Sequence, residues 1–174
     1  MATSTTEANE YDIACEEGAE VILDLDETAA VCDLVLREES VVRPCLVSVT
    51  YVSDLRIREL NKEWRGIDTP TDVISLECER PDDPDLAEGE PCELGDIVLA
   101  TAYVSRQAEQ FGVTAKDECR LLLIHGMLHL LGYDHIADDE AEVMEAREDE
   151  LLALARIEGL PGHVEITRHR EERS

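Results

Sequence analysis

The chain has 174 residues, 44% of them hydrophobic, which suits a single domain with its own core and excludes a wholly disordered polymer. Its formal net charge is −27, from 42 acids against 15 basic residues, which argues against nonspecific nucleic-acid or anionic-membrane binding over the whole surface. No apolar run reaches the ~18 residues of a membrane span. Residues 1–7 carry neither the basic nor the apolar part of a secretory signal, and no repeat or low-complexity period occurs. A local basic cleft stays open. The acidity fits solubility or a salty milieu on one reading, and an acidic face for a basic partner on another. Six cysteines occur, none in a Cys-x-x-Cys pair, so reduced thiols in a cytoplasmic protein are expected.

Residues 1–19 are small and polar and read as a tail. Residues 21–25 suggest a short strand, and Ala30, Val31, Leu34 and Val35 give residues 27–39 a helical spacing that Pro44 ends. Residues 47–52 alternate and are β-branched, as in a half-buried strand. Ser53 can cap a helix over 54–64. Residues 72–76 and 95–99 read as strands. Between them, 77–93 carry Pro81, Pro84 and Pro91 and many acids, which predicts a long exposed loop, functional or mobile. A helix over 101–111 is closed by Gly112. Thr114, with Asp117 three residues on, starts a helix that runs to about Leu131 and stops at Gly132. A final amphipathic helix spans 138–157, with Val143, Leu151 and Leu154 toward the core and Gly159 and Pro161 beyond its end. Short strands interleaved with helices predict one α/β (α+β) domain, a small mixed sheet with helices packed on it.

The segment 124–135 carries the chemistry. His125 and His129 lie four apart on a helix and so share one face. Gly132 lets the chain leave the helix in a left-handed turn, which can return His135 to the same ion. Three histidines leave one coordination position for water, the arrangement of a catalytic zinc site. Water so bound is acidified to a pKa of roughly 7 and can attack as hydroxide. Two imidazoles among Leu121, Leu122, Leu128 and Leu131 would be costly to bury without partners. His163 and His169 lie outside the cluster. The spacing is that of His-Glu-x-x-His-x-x-Gly-x-x-His metalloproteases, but Gly126 stands where their general base belongs. Neither Glu118 nor Asp134 is at that offset, so proteolysis is disfavoured.

The string His125-Gly126-Met127-Leu128-His129-Leu130-Leu131-Gly132-Tyr133-Asp134-His135 resembles the signature of the YbeY endoribonucleases, bacterial rRNA maturation factors. Residues 59–75, with Arg65-Gly66-Ile67-Asp68-Thr69-Pro70-Thr71-Asp72-Val73, and residues 94–98 agree with that family. The similarity spans about 21–160; a metal-dependent endoribonuclease domain is expected over 20–160, with tails at 1–19 and 161–174. The resemblance implies a cytoplasmic, zinc-dependent endoribonuclease specific for single strands, acting in 16S rRNA 3′-end maturation and ribosome quality control. Its partners would be single-stranded rRNA, the small ribosomal subunit and assembly proteins, with no membrane and no DNA. It implies one zinc ion on His125, His129 and His135, with Arg65 and His125 serving catalysis.

The residues make independent sense of Arg65, which follows Arg56, Arg58 and Lys62 and has the planar fork that suits phosphate. Ser75 and Asp96 either support the site or shape the fold. Asp134 could hydrogen-bond a ligating imidazole or only form the turn. Trp64 and Tyr133 are candidates for stacking on bases or for the core. The chain departs from the family where Phe-Pro commonly follows the serine, since Leu76-Glu77 stand there, and residues 77–96 hold nine acids and one arginine. Alternatives are a hydrolase of another substrate and a noncatalytic zinc-stabilised assembly factor.

Overall fold

The computed structural model describes residues 8–133 and 138–157. Strands β1 (Glu10–Cys15), β2 (Cys45–Val52), β3 (Val73–Glu77) and β4 (Cys92–Ala100) form one sheet in the order β1-β2-β4-β3. β1 and β4 run parallel to β2, and β3 is antiparallel to β4. The helices are α1 (Leu25–Glu38), α2 (Asp54–Arg65), α3 (Thr101–Phe111), α4 (Ala115–Leu130) and α5 (Asp138–Ile157). The mixed sheet with helices packed on it is the expected architecture.

Three helix starts have a side-chain cap. Asp24 accepts the Glu27 amide at 2.8 Å while the Glu27 carboxylate accepts the Asp24 amide at 3.0 Å, a reciprocal cap for α1. Ser53 caps α2 through the Arg56 amide, and Thr114 caps α4 through the Asp117 amide. Strand alternation then sorts the core. Val47, Val49, Ile97 and Leu99 face α1, α4 and α5, whereas Val52, Ile74 and Val98 face Ile57 and Leu60 of α2 and Tyr103 of α3. Helix α4 is buried nearly all round, from Asp117 to Ile124 and again at Gly126, Met127, Leu128 and Leu130. It is the central helix, and the histidines ride on it.

Three expectations are corrected. Residues 10–15 read as tail but form edge strand β1, in register from Glu10 opposite Leu46 to Cys15 opposite Tyr51. Only Tyr11 and Ile13 of this strand pack on the core, so backbone pairing defines it more than burial does. Residues 21–24 form no strand. Leu23 is fully buried with its amide donated to the Tyr51 hydroxyl at 3.1 Å, and Asp24 is already the cap of α1. On α5, Leu151 is buried as expected, but Val143 is 61% exposed and Leu154 half-buried, and the core stripe is Met144, Glu148, Leu151, Leu152 and Ala155. That stripe has the helical period but holds a glutamate, which hid it.

Strand β4 starts three residues earlier than expected and carries a bulge. Leu46 pairs with Glu93 and Val47 with Gly95, so Leu94 has no partner across the pair. Gly95 sits at φ +149°, and a Cβ there would lie 2.3 Å from the Leu76 carbonyl oxygen. The acidic loop that precedes β4 is held in place. Arg43 donates Nε to the Pro81 carbonyl at 3.0 Å and its terminal nitrogen to the carbonyls of Ala87, at 2.8 Å, and Glu90.

Candidate functional site

The close helix–sheet contact that builds the site begins at Gly126. A Cβ there would lie 3.1 Å from Ser75 Oγ and 3.1 Å from Ile97 Cδ1. With no side chain at 126, α4 lies directly on β3 and β4, and His125 and His129 stand beside the contact. Their ring centroids are 4.7 Å apart with planes at 81°.

Each imidazole is held from behind. His125 Nδ1 is 2.5 Å from Glu148 Oε2 on α5, and His129 Nδ1 is 3.0 Å from the Tyr133 carbonyl oxygen. Glu148 is fully buried, and a carboxylate so placed needs a charged or hydrogen-bonded partner. A carbonyl oxygen only accepts, so His129 donates from Nδ1, and its neutral tautomer carries the lone pair on Nε2. The carboxylate fixes the same tautomer at His125. A hydrogen bond from the other ring nitrogen to a carboxylate or carbonyl is the usual support of a ligating histidine. The donor chemistry therefore fits a borderline metal such as zinc. Among the described residues no third His, Cys, Asp or Glu completes a ligand set with the pair. His135, the third expected ligand, lies outside the described residues, as does Asp134.

The pair opens on a cleft of about 350 Å³ lined by Trp64, Arg65, residues 72–77, Arg80, His125, His129, Gly132 and Tyr133. Arg65 is the last residue of α2, which Gly66 closes at φ +73°. It reaches the cleft wall, whereas Arg56 is paired with Glu16 and Glu59 and Arg58 with Asp68. The structure thus brings Arg65, His125 and His129 to one cavity.

Other expected residues sort by position. Ser75 lines the cleft. Asp96 is exposed on the opposite face of β4 from Ile97 and does not line it. Asp72 is buried. Its Oδ1 accepts the Val73 amide at 2.7 Å, and its Oδ2 accepts Gln107 Nε2 at 3.0 Å. The same amide donates to Glu118 Oε2 at 2.6 Å, so Glu118 belongs to a buried network behind the cleft. Trp64 is 57% exposed and is a surface residue at the mouth. Tyr133 is half-buried against the core, and its hydroxyl donates to Glu39 at 2.9 Å.

Sequence reasoning missed Glu148, whose signal was an acid on the core stripe of α5. It also missed Arg80, the lone base in an acidic loop. Arg80 lines the cleft, is ion-paired with Glu77 and lies over Gly132, where a Cβ would sit 2.6 Å from the guanidinium.

The half-buried histidine pair, supported through Nδ1 and sharing its cleft with Arg65 and Arg80, presents ring nitrogens that fit a metal and guanidinium groups that fit phosphate esters. The family description Endoribonuclease YbeY matches residues 14–156, and the chain belongs to that family of nucleases. Proteins named Endoribonuclease YbeY are similar to it. The one from Exiguobacterium is 44% identical over 66% of this chain and 75% of its own, and that from Bacillus velezensis 40% over 74% and 83%. The solution structure of TM1509 from Thermotoga maritima superposes with a TM-score of 0.50 at 25% identity, over 86% of this chain and 94% of that one. No helix among the described residues is long and apolar enough to cross a membrane.

Proposed function

We propose that the protein is a zinc-dependent endoribonuclease that cuts single-stranded RNA, with the 3′ end of 16S rRNA as its substrate and ribosome quality control as its setting. The observation that carries this reading is the histidine pair with both Nδ1 atoms engaged, opposite Arg65 in one cleft. Family membership supports RNA as the polymer, and an enzyme of small-subunit rRNA would work in the cytoplasm beside assembly proteins.

His125, His129 and His135 would hold one zinc ion, which when bound supplies a Lewis acid and lowers the pKa of coordinated water to about 7. Glu148 and the Tyr133 carbonyl keep the two imidazoles in the ligating tautomer. Arg65 donates in plane to the non-bridging oxygens as negative charge grows on the phosphate. Arg80, across the cleft, exchanges its Glu77 partner for a neighbouring phosphate. Gly126 keeps α4 seated against the sheet and leaves no general base of the protease kind, which supports a phosphodiester over a peptide.

The test is cleavage of a 3′-extended 16S rRNA fragment by stripped and zinc-reloaded protein. His129→Ala should lose both the zinc and the cutting, and retention of one tightly held ion would sink the three-histidine site. Arg65→Ala should keep fold and zinc and lose about 10²–10³-fold in kcat, the usual cost of one charge-stabilising donor. Unchanged cleavage would remove Arg65 from the mechanism. Zinc bound without any cutting would favour the noncatalytic assembly factor.

A further inference from the structure

The hydrogen bonds behind the two histidines converge on one carboxylate outside the cleft. The Tyr133 carbonyl accepts from His129, and the Tyr133 hydroxyl donates to Glu39 Oε1 at 2.9 Å. Glu148 holds His125, and its neighbour Arg147 donates Nε to Glu39 Oε2 at 2.5 Å. Arg147 also donates to the Glu38 carbonyl at 2.7 Å. Both oxygens of Glu39 are thus used, each on a segment that holds a different imidazole.

The local sequence gives no other reason for this residue. Glu39 closes the C-terminus of α1, directly after Glu38, where the helix dipole disfavours an acid. Ser40 follows at φ +60°, a left-handed conformation that a non-glycine residue seldom adopts. Two adjacent breaches of local preference mark a position constrained by something else. Here the constraint is the contact with Tyr133 and Arg147, and the Glu39 side chain is only 14% exposed.

We propose that Glu39 is a positioning residue for the metal site, anchoring both the turn that supports His129 and the helix that supports His125. The inference rests on reading those histidines as metal ligands. Glu39 touches neither substrate nor metal, and its effect is on the orientation of the imidazoles.

The experiment uses the full chain with Zn²⁺ and with Co²⁺ as a spectroscopic probe. Zinc affinity is measured by competition with a chelator, and the Co²⁺ visible spectrum reports ligand geometry. Glu39→Ala should bind zinc roughly 10–100-fold more weakly, the range for loss of a residue supporting a ligand, and should change the Co²⁺ spectrum. Glu39→Gln, which still accepts from Tyr133 but turns an amide toward Arg147, should fall between it and wild type. This variant keeps the test open if the alanine variant fails to fold. Tyr133→Phe should weaken binding alone yet add little on top of Glu39→Ala, because both act through one contact. Wild-type zinc affinity and an unchanged Co²⁺ spectrum in folded Glu39 variants, with only a lowered Tm, would make Glu39 a structural tie and overturn the proposal. Failure of the wild type itself to bind either ion would overturn the metal reading, and the inference with it.

Discussion

A Cβ on Gly126 would meet Ile97 Cδ1 and Ser75 Oγ at 3.1 Å, tighter than ordinary van der Waals contact. Ile97 is fully buried and cannot swing outward. Alanine gains about 1 kcal/mol over glycine in a helix interior, while overpacking a core costs about 1–3 kcal/mol. Gly126→Ala should therefore be net destabilising by about 1 kcal/mol in urea unfolding, and a stabilised variant would mean that the sheet yields. Gly126→Glu should cost more than about 3 kcal/mol, since it adds volume and a carboxylate with no partner to the same contact. The glycine that set this chain apart from proteases in sequence has a packing cause in structure. His125 and His129 were legible for a similar reason, because imidazoles on an apolar helix conflict with burial unless they have work. Glu148 carries the same conflict, but it was hidden by its distance along the chain and by the acids around it.

Elements with local signals could be read to within a few residues, among them the Ser53 and Thr114 caps, the Gly112 stop and the alternation of β2. β1 could not, because an edge strand with two core-facing residues is defined by its partner and not by its own pattern. The acidic loop is the middle case. Its exposure was legible, but its order was not, because Arg43 lies far away in sequence and holds it through three carbonyl oxygens. Its acids also close its own turns. Asp83 accepts the Asp85 amide at 2.9 Å, and Glu90 the Ala87 amide at 2.8 Å. Charged hydrogen bonds are worth about 1.5–3 kcal/mol each. Arg43→Ala should therefore raise amide exchange over residues 81–90 by about tenfold or more while leaving β4 protected, since 1.4 kcal/mol is a factor of ten. Unchanged exchange would show that the loop's own turns suffice. Because the loop also delivers Arg80 to the cleft, the same variant should raise KM for RNA more than it lowers kcat.

For the whole molecule, the charge of −27 must be reconciled with a polyanionic substrate. Local pairing does not remove it, because Arg56, Arg58, Arg80, Arg106, Lys116, Arg120 and Arg147 are each matched by carboxylates, and the remaining acids dominate. Among the described residues no carboxylate is paired with Arg65, so Arg65, with Arg80 once it leaves Glu77, gives a short-range attraction inside a repulsive field. The two respond differently to salt. Two phosphate contacts on a single strand would lose about 1.4 decades of affinity per decade of salt. The repulsion acts on every phosphate of the strand, contacted or not, and fades as the Debye length falls from about 30 Å at 0.01 M to about 10 Å at 0.1 M. Repulsion should win at low salt. Cleavage of a short RNA, as kcat/KM, should rise several-fold between about 0.01 M and about 0.1 M KCl before levelling, and the Tm should rise over the same range as self-repulsion is screened. A fall in kcat/KM from the lowest salt upward, steeper than about −1.4 on the logarithmic plot, would require more phosphate contacts than Arg65 and Arg80 supply. It would bring Lys62 and Arg58, one and two turns before Arg65 on α2, into the RNA path.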